Sequence, residues 1–102
     1  MSHIHVGFTG TRNGCTPEQL KTLKFLLEEI KNKYKECWFH SGDCVGADSE
    51  ANTLANSLGY VTWIHPPVDD KLRAYGKAHH ILEPRTYFAR NRDIVNDCIS
   101  IR

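Results

Sequence analysis

A chain of 102 residues with a formal net charge of +1, 40% hydrophobic and 25% charged, bounds a single domain with a modest core and argues against a dedicated duplex-DNA binder. No apolar run reaches the length of a membrane span, and the N-terminus enters a strand pattern without a leader sequence, so the expected location is the cytoplasm with no membrane partner. The four cysteines, Cys15, Cys37, Cys44 and Cys98, contain no CxxC pair and read as core or turn thiols. A zinc site drawing on His40, Cys44 and His65 is the weaker reading, and neither metal nor cofactor is expected.

His3 to Thr9 places Ile4, Val6 and Phe8 in alternation and reads as a first strand. A loop with Gly10 and Gly14 follows. Thr16-Pro17-Glu18-Gln19 then gives a helix start, with Thr16 as N-cap, Pro17 at the first helical position and Gln19 closing a capping box. Leu20, Leu23, Leu27, Ile30 and Tyr34 recur at helical spacing, so a helix is expected over Pro17 to Tyr34. Cys37 to His40 is a short apolar strand. Ala47, Ala51, Leu54, Ala55 and Leu58 form one face of a second helix, and Gly59 is its expected terminator. Tyr60 to Ile64 is β-branched and aromatic, a third strand that Pro66-Pro67 ends. Asp69 to Ala78 reads as a short helix, His79 to Thr86 as a loop, Thr86 to Asp97 as a helix and Cys98 to Ile101 as a final strand.

Strands alternating with helices point to a parallel sheet with right-handed crossovers, in the order 3-2-1-4, and to ligands beyond the carboxyl ends of the strands. Three loops would meet at that rim: Gly10 to Thr16, Ser41 to Asp48, and His65 to Asp70. The middle one, Ser41-Gly42-Asp43-Cys44-Val45-Gly46-Ala47-Asp48, lies between a strand and a helix. Its glycines would let a ligand approach the backbone, with Gly42 able to take positive φ. The helix that opens there offers free N–H groups to an anion. Ser41 adds a hydroxyl, while Asp43 and Asp48 suit sugar hydroxyls or a base N–H. A plain capped turn with no ligand accounts for the same residues.

The arginines lie apart from the lysine-rich first helix, mostly near turns or helix starts, where a guanidinium can clamp phosphate. Gly10, Thr11 and Arg12, then Ser41, Gly42, Asp43, Gly46 and Asp48, then Arg90, Asn91 and Arg92 form the expected ligand-binding set. Trp63, Tyr75 and Tyr87 could stack on a base, although Trp63 and Tyr87 fit the core better.

The motifs Gly10-Thr11-Arg12, Ser41-Gly42-x-x-x-Gly46-x-Asp48 and Arg90-Asn91-Arg92 resemble the SLOG superfamily, which includes the LOG phosphoribohydrolases, the Rossmann-like domain of DprA and the YspA-like small proteins. His40 to Asp48 and His65-Pro66-Pro67 are most similar to the YspA-like group. The resemblance covers nearly the whole chain. It implies a Rossmann-like three-layer α/β/α domain over residues 1–102, a nucleotide-like ligand at the rim and a homodimer. For LOG enzymes it implies N-glycosidic hydrolysis of a nucleoside monophosphate, with Arg90 as the matching arginine. The family's glycine-rich PGGxGTxxE segment is not among these 102 residues, which leaves a shortened version or completion by another subunit as expectations.

Three functions follow, in descending order: a nucleotide-binding sensor, carrier or sequestering module; an N-glycosidase acting on a nucleoside monophosphate or an ADP-ribose-like compound; and a DprA-like binder of single-stranded nucleic acid, which the near-neutral charge disfavours. If the chain is an enzyme, the catalytic candidates are Arg90 and Asp48. The expected homodimer would use the last helix, through Tyr87, Phe88 and Ile94, because a small sheet leaves an edge uncovered.

Overall fold

The computed structural model describes residues 3–8, 14–68, 73, 74, 76–86, 89, 92, 94 and 99–101. Strand β1 (His3–Phe8) leads to helix α1 (Pro17–Lys33), strand β2 (Glu36–Ser41), helix α2 (Ala47–Ser57) and strands β3 (Val61–Ile64), β4 (His80–Ile81) and β5 (Ile99–Ile101). Every strand pairing is parallel. The fold is therefore α/β with a parallel sheet. No helix among the described residues is long and apolar enough to cross a membrane.

The number of strands expected from the sequence needs correction. The sheet has five strands in the order β4-β3-β2-β1-β5; the four expected strands keep the order 3-2-1-4 as β3-β2-β1-β5, and β4 is added at the β3 edge. The added strand comes from His79 to Thr86, which reads as a loop because two residues carry no periodicity. Trp63 pairs with His80 and Ile64 with Ile81, and Arg85 makes a further bridge to Pro67. The short helix expected over Asp69 to Ala78 is not formed at its described residues: Arg73 instead bridges antiparallel to Cys44. In the segment from Thr86 to Asp97, the described residues Ala89, Arg92 and Ile94 are helical.

Helix α1 begins as its sequence dictates. The Thr16 hydroxyl accepts the Gln19 N–H at 3.1 Å, and the Gln19 side chain accepts the Thr16 N–H at 2.8 Å. The helix ends at Tyr34, the C-cap. Helix α2 ends at Leu58, with Gly59 beyond it at φ +85°. Gly42 is not the left-handed residue of the turn between β2 and α2. That role falls to Asp43 (φ +54°) and Gly46 (φ +94°).

Both helices cover the same sheet face. Val6, Phe8, Cys37 and Phe39 of that face pack with Leu23 and Leu27 of α1 and Ala47, Ala51 and Ala55 of α2. The alanines let α2 sit close to the strands. Tyr60 joins this core, and its hydroxyl donates to the Leu27 carbonyl at 2.5 Å, tying the start of β3 to α1. The other face has a different character. In register, it carries His3 and His5 of β1, Trp38 and His40 of β2, Trp63 of β3 and His80 of β4.

Replacing Thr16 by alanine is expected to remove the reciprocal cap and lower stability by about 1 kcal/mol. The measurement is a urea unfolding midpoint with an unchanged m-value.

Candidate functional site

The rim at the carboxyl ends of β1, β2 and β3 is drawn together by contacts to the β2–α2 turn. The Cys15 N–H, at the end of the first loop, donates to Glu50 Oε1 of α2 at 2.7 Å. Gly14 just before it has φ +84°, and a Cβ there would meet the same Glu50 oxygen at 2.7 Å. From the third side, the His65 N–H donates to the Ser41 carbonyl at 2.8 Å and the Ala74 N–H to the Asp43 carbonyl at 2.8 Å.

Asp43 is the centre of these contacts. Its carboxylate is 2% exposed, accepting from Arg73 Nε and Nη2, both at 3.3 Å, and from the Gly76 N–H at 2.8 Å. The sequence pattern assigns Asp43 to ribose or base binding, but the fold uses it to hold the segment after β3 against the turn. Arg73 is the partner of Asp43 that sequence reasoning missed. The two residues are thirty positions apart, and no local pattern links them.

The other assigned residues divide. Ser41 ends β2 and is fully buried, and its hydroxyl has no hydrogen-bond partner among the described residues. Gly42 is buried beside it. Gly46 caps α2 without a side-chain hydrogen bond, so the helix presents N–H groups that no cap occupies. Asp48 lies in the first turn of α2, where the helix dipole favours its charge. It is buried and accepts the Cys44 N–H at 3.4 Å. Arg92 is helical and exposed. Gly10, Thr11, Arg12, Arg90 and Asn91 lie outside the described residues, as do Tyr75, Tyr87 and Phe88. Ile94 is fully buried within one chain.

Trp63 is not placed to stack on a base. Its ring lies between His40 (centroids 5.5 Å, interplanar 13°) and His80 (4.1 Å, 28°), so imidazoles take both of its flanks. His40 also anchors a row of histidines. Its Nε2 lies 2.9 Å from His5 Nδ1 and its Nδ1 lies 2.7 Å from His65 Nε2. Burial first, then the neighbouring His65 and His5, pull the His40 imidazole down from 6.5 to about 3. Because His40 uses its two nitrogens toward different partners, the three rings do not converge on one point. No group of three His, Cys, Asp or Glu side chains among the described residues could hold a metal ion, and Cys44 does not join these rings in one. Burial, with the carboxylates of Glu50 and Asp48, raises the Cys15 thiol above its ordinary value and keeps it protonated.

The fold has a counterpart among solved structures. The X-ray structure of TM1055 superposes with a TM-score of 0.61 over 99% of this chain, at 16% sequence identity. This chain spans 61% of the length of TM1055. A likeness at that identity concerns the fold alone, the parallel α/β sheet with its helices. No protein-family model and no curated protein matches the sequence.

Replacing Asp43 by alanine leaves the Arg73 guanidinium and the Gly76 N–H without their acceptor. The expected loss is about 3 kcal/mol of stability, checked by chemical denaturation, the penalty for breaking a largely buried pair from one side. A second expectation concerns pH. The His40 value in the folded chain lies below its ordinary 6.5, so the unfolded chain binds a proton first as pH falls. This contribution to stability is complete above about pH 6.5 and is lost as pH drops toward about 3. The slope is at most about 1.4 kcal/mol per pH unit. Unfolding midpoints at closely spaced pH values read it directly.

Proposed function

We propose that the protein binds a nucleotide or nucleotide-derived ligand at the carboxyl-end rim, with the phosphate over Ser41, Gly42 and the first turn of α2. The observation that carries this reading is the Ser41 hydroxyl. It is fully buried and lacks a partner among the described residues, one turn before an uncapped helix N-terminus. A buried hydroxyl without a hydrogen bond costs about 1–3 kcal/mol, which a bound acceptor would offset. A phosphate oxygen fits that need, and the helix N-terminus favours its charge.

Topology supports the rest of the set. β1 pairs in parallel with both β2 and β5, so the carboxyl ends of β1 and β2 lie side by side, with Phe8 opposite Ser41. In a SLOG-type domain Arg12 and Arg90 would complete a phosphate clamp there. Asp48 would accept from a ribose hydroxyl. Asp43 is left to hold the turn.

The test is calorimetric titration of wild-type protein and Ser41→Ala with a panel of nucleoside monophosphates. Wild type is expected to bind. Ser41→Ala is expected to lose about 1.5–3 kcal/mol of affinity, the range for a hydrogen bond to a charged group, with no loss of stability. No binding by wild type to any member of the panel, or a variant that binds equally well, would refute the assignment. Chromatography of the same mixtures separates binding from catalysis: free base accumulating in the presence of the protein would make it an N-glycosidase.

A further inference from the structure

The outer face of α1 does not follow the pattern of an ordinary surface helix. Leu23 and Leu27 are its buried residues and pack into the core. Phe25 stands two positions from each, and at about 100° per residue two steps carry it to the opposite side of the helix. There it is 60% exposed, with Leu26 next to it at 40%. Of the large hydrophobic side chains exposed among the described residues, Phe25 is the most exposed and the only aromatic one. An amphipathic helix that met only water would carry a polar residue at this position.

The charges around Phe25 are sorted by sign. Lys21 lies one turn before it, and Glu28 and Glu29 lie one turn after it, all three exposed on the same side of the helix. Among the described residues none of the three is held in an ion pair or a side-chain hydrogen bond. A two-fold axis at Phe25, perpendicular to the helix, brings each residue before Phe25 level with the residue equally far after it in a second copy. Lys21 then lies level with Glu29 and next to Glu28, Glu18 lies level with Asn32, and Phe25 meets Phe25. Along the whole helix no two like charges share a level. A parallel pairing would set Lys21 against Lys21 and Glu29 against Glu29. The face is thus complementary to itself, as a two-fold contact requires, and only when the helices run antiparallel.

We propose that the outer face of α1 is the contact surface of a homodimer, in which two copies pack this helix antiparallel across a two-fold axis at Phe25. The two Phe25 rings form the apolar centre of the contact, and Lys21 of each copy meets Glu28 and Glu29 of the other on either side of it. The antiparallel arrangement also places the positive end of each helix dipole beside the negative end of its partner. Helix α1 has 17 residues and is therefore about 25 Å long. One helix face is a small contact beside a standard interface of about 800 Å² per partner, so the dimer forms at raised protein concentration. Its charged pairs are at the surface, so it weakens as salt is added. The rim and its ligand play no part in this inference.

Sedimentation equilibrium at low salt, over a wide range of protein concentration, tests the proposal. Wild type is expected to pass from monomer to dimer. Phe25→Ser is expected to weaken the dimer about tenfold or more. Lys21→Glu sets like charges against Glu28 and Glu29 of the other copy, and the double variant Glu28→Lys/Glu29→Lys sets them against Lys21. Each is expected to weaken self-association about tenfold. An equimolar mixture of these two variants is expected to dimerise as wild type does, because each then meets the opposite charge on its partner. All the positions are exposed, so the fold is retained, and circular dichroism checks this. A wild type that stays monomeric at every concentration would leave Phe25 to a different partner and overturn the proposal. So would a dimer that Phe25→Ser leaves intact, or a mixture that associates no more tightly than its two components.

Discussion

A buried carboxylate organises the rim. Asp43 stands in the left-handed region at φ +54°, a conformation that aspartate tolerates better than most side chains. From there its two oxygens reach Gly76 and Arg73, and its carbonyl takes the Ala74 N–H. A buried charge is tolerated only when paired and hydrogen-bonded, so the segment after β3 must return to the β2–α2 turn. Gly76 follows from the same demand. A Cβ there would come within 3.2 Å of Asp43 Oδ1 and 3.1 Å of the Asn52 amide, so the glycine lets the backbone N–H make its close approach.

The two sheet faces divide the work. One is an ordinary apolar face, sealed by two helices through leucines and alanines. The other holds imidazoles and indoles whose rings touch from β1 to β4: His5 meets Trp38 edge-on at 4.2 Å, Trp38 lies 5.9 Å from Trp63, and Trp63 stacks on His80. Aromatic contacts of this kind contribute about 0.5–1.5 kcal/mol each beyond area burial. They also join strands that share few aliphatic contacts on that side. A two-residue edge strand such as β4 gains little from its ladder alone, and the His80 ring gives it a second attachment.

What the sequence discloses follows the range of the interaction. Thr16, Pro17 and Gln19 announce α1 because a capping box is local. Ala47, Ala51 and Ala55 announce a helix lying close on a sheet for the same reason. The meeting of three loops at one rim follows from alternating strands and helices. Asp43 and Arg73 are thirty positions apart, and β4 gets its strand character from β3 rather than from its own two residues. Neither is written in a local pattern. The histidine face lies between these cases. His3 and His5, like Trp38 and His40, stand two apart as strand partners should. Polar residues at alternate positions usually mean solvent, and only the register of β1, β2 and β3 brings His5, His40 and the residue after Ile64 into line.

Three buried polar atoms lack partners among the described residues: Ser41 Oγ, Asn52 Oδ1 and Trp63 Nε1. Their positions give them different meanings. Asn52 already donates from its amide to the Lys77 carbonyl at 2.9 Å, so its idle oxygen is the cost of fixing the segment that Asp43 also holds. The Trp63 indole is set by stacking between two imidazoles, and its N–H lies wherever that packing leaves it. Neither atom is at the carboxyl end of a strand. Ser41 is, and its backbone is fixed on both sides, by Phe8 of β1 and Ile64 of β3. An alanine would fill the same space in the empty protein without a desolvated oxygen. Stability alone therefore gives no reason for a hydroxyl at this position, and it is on this atom that the proposed ligand contact rests.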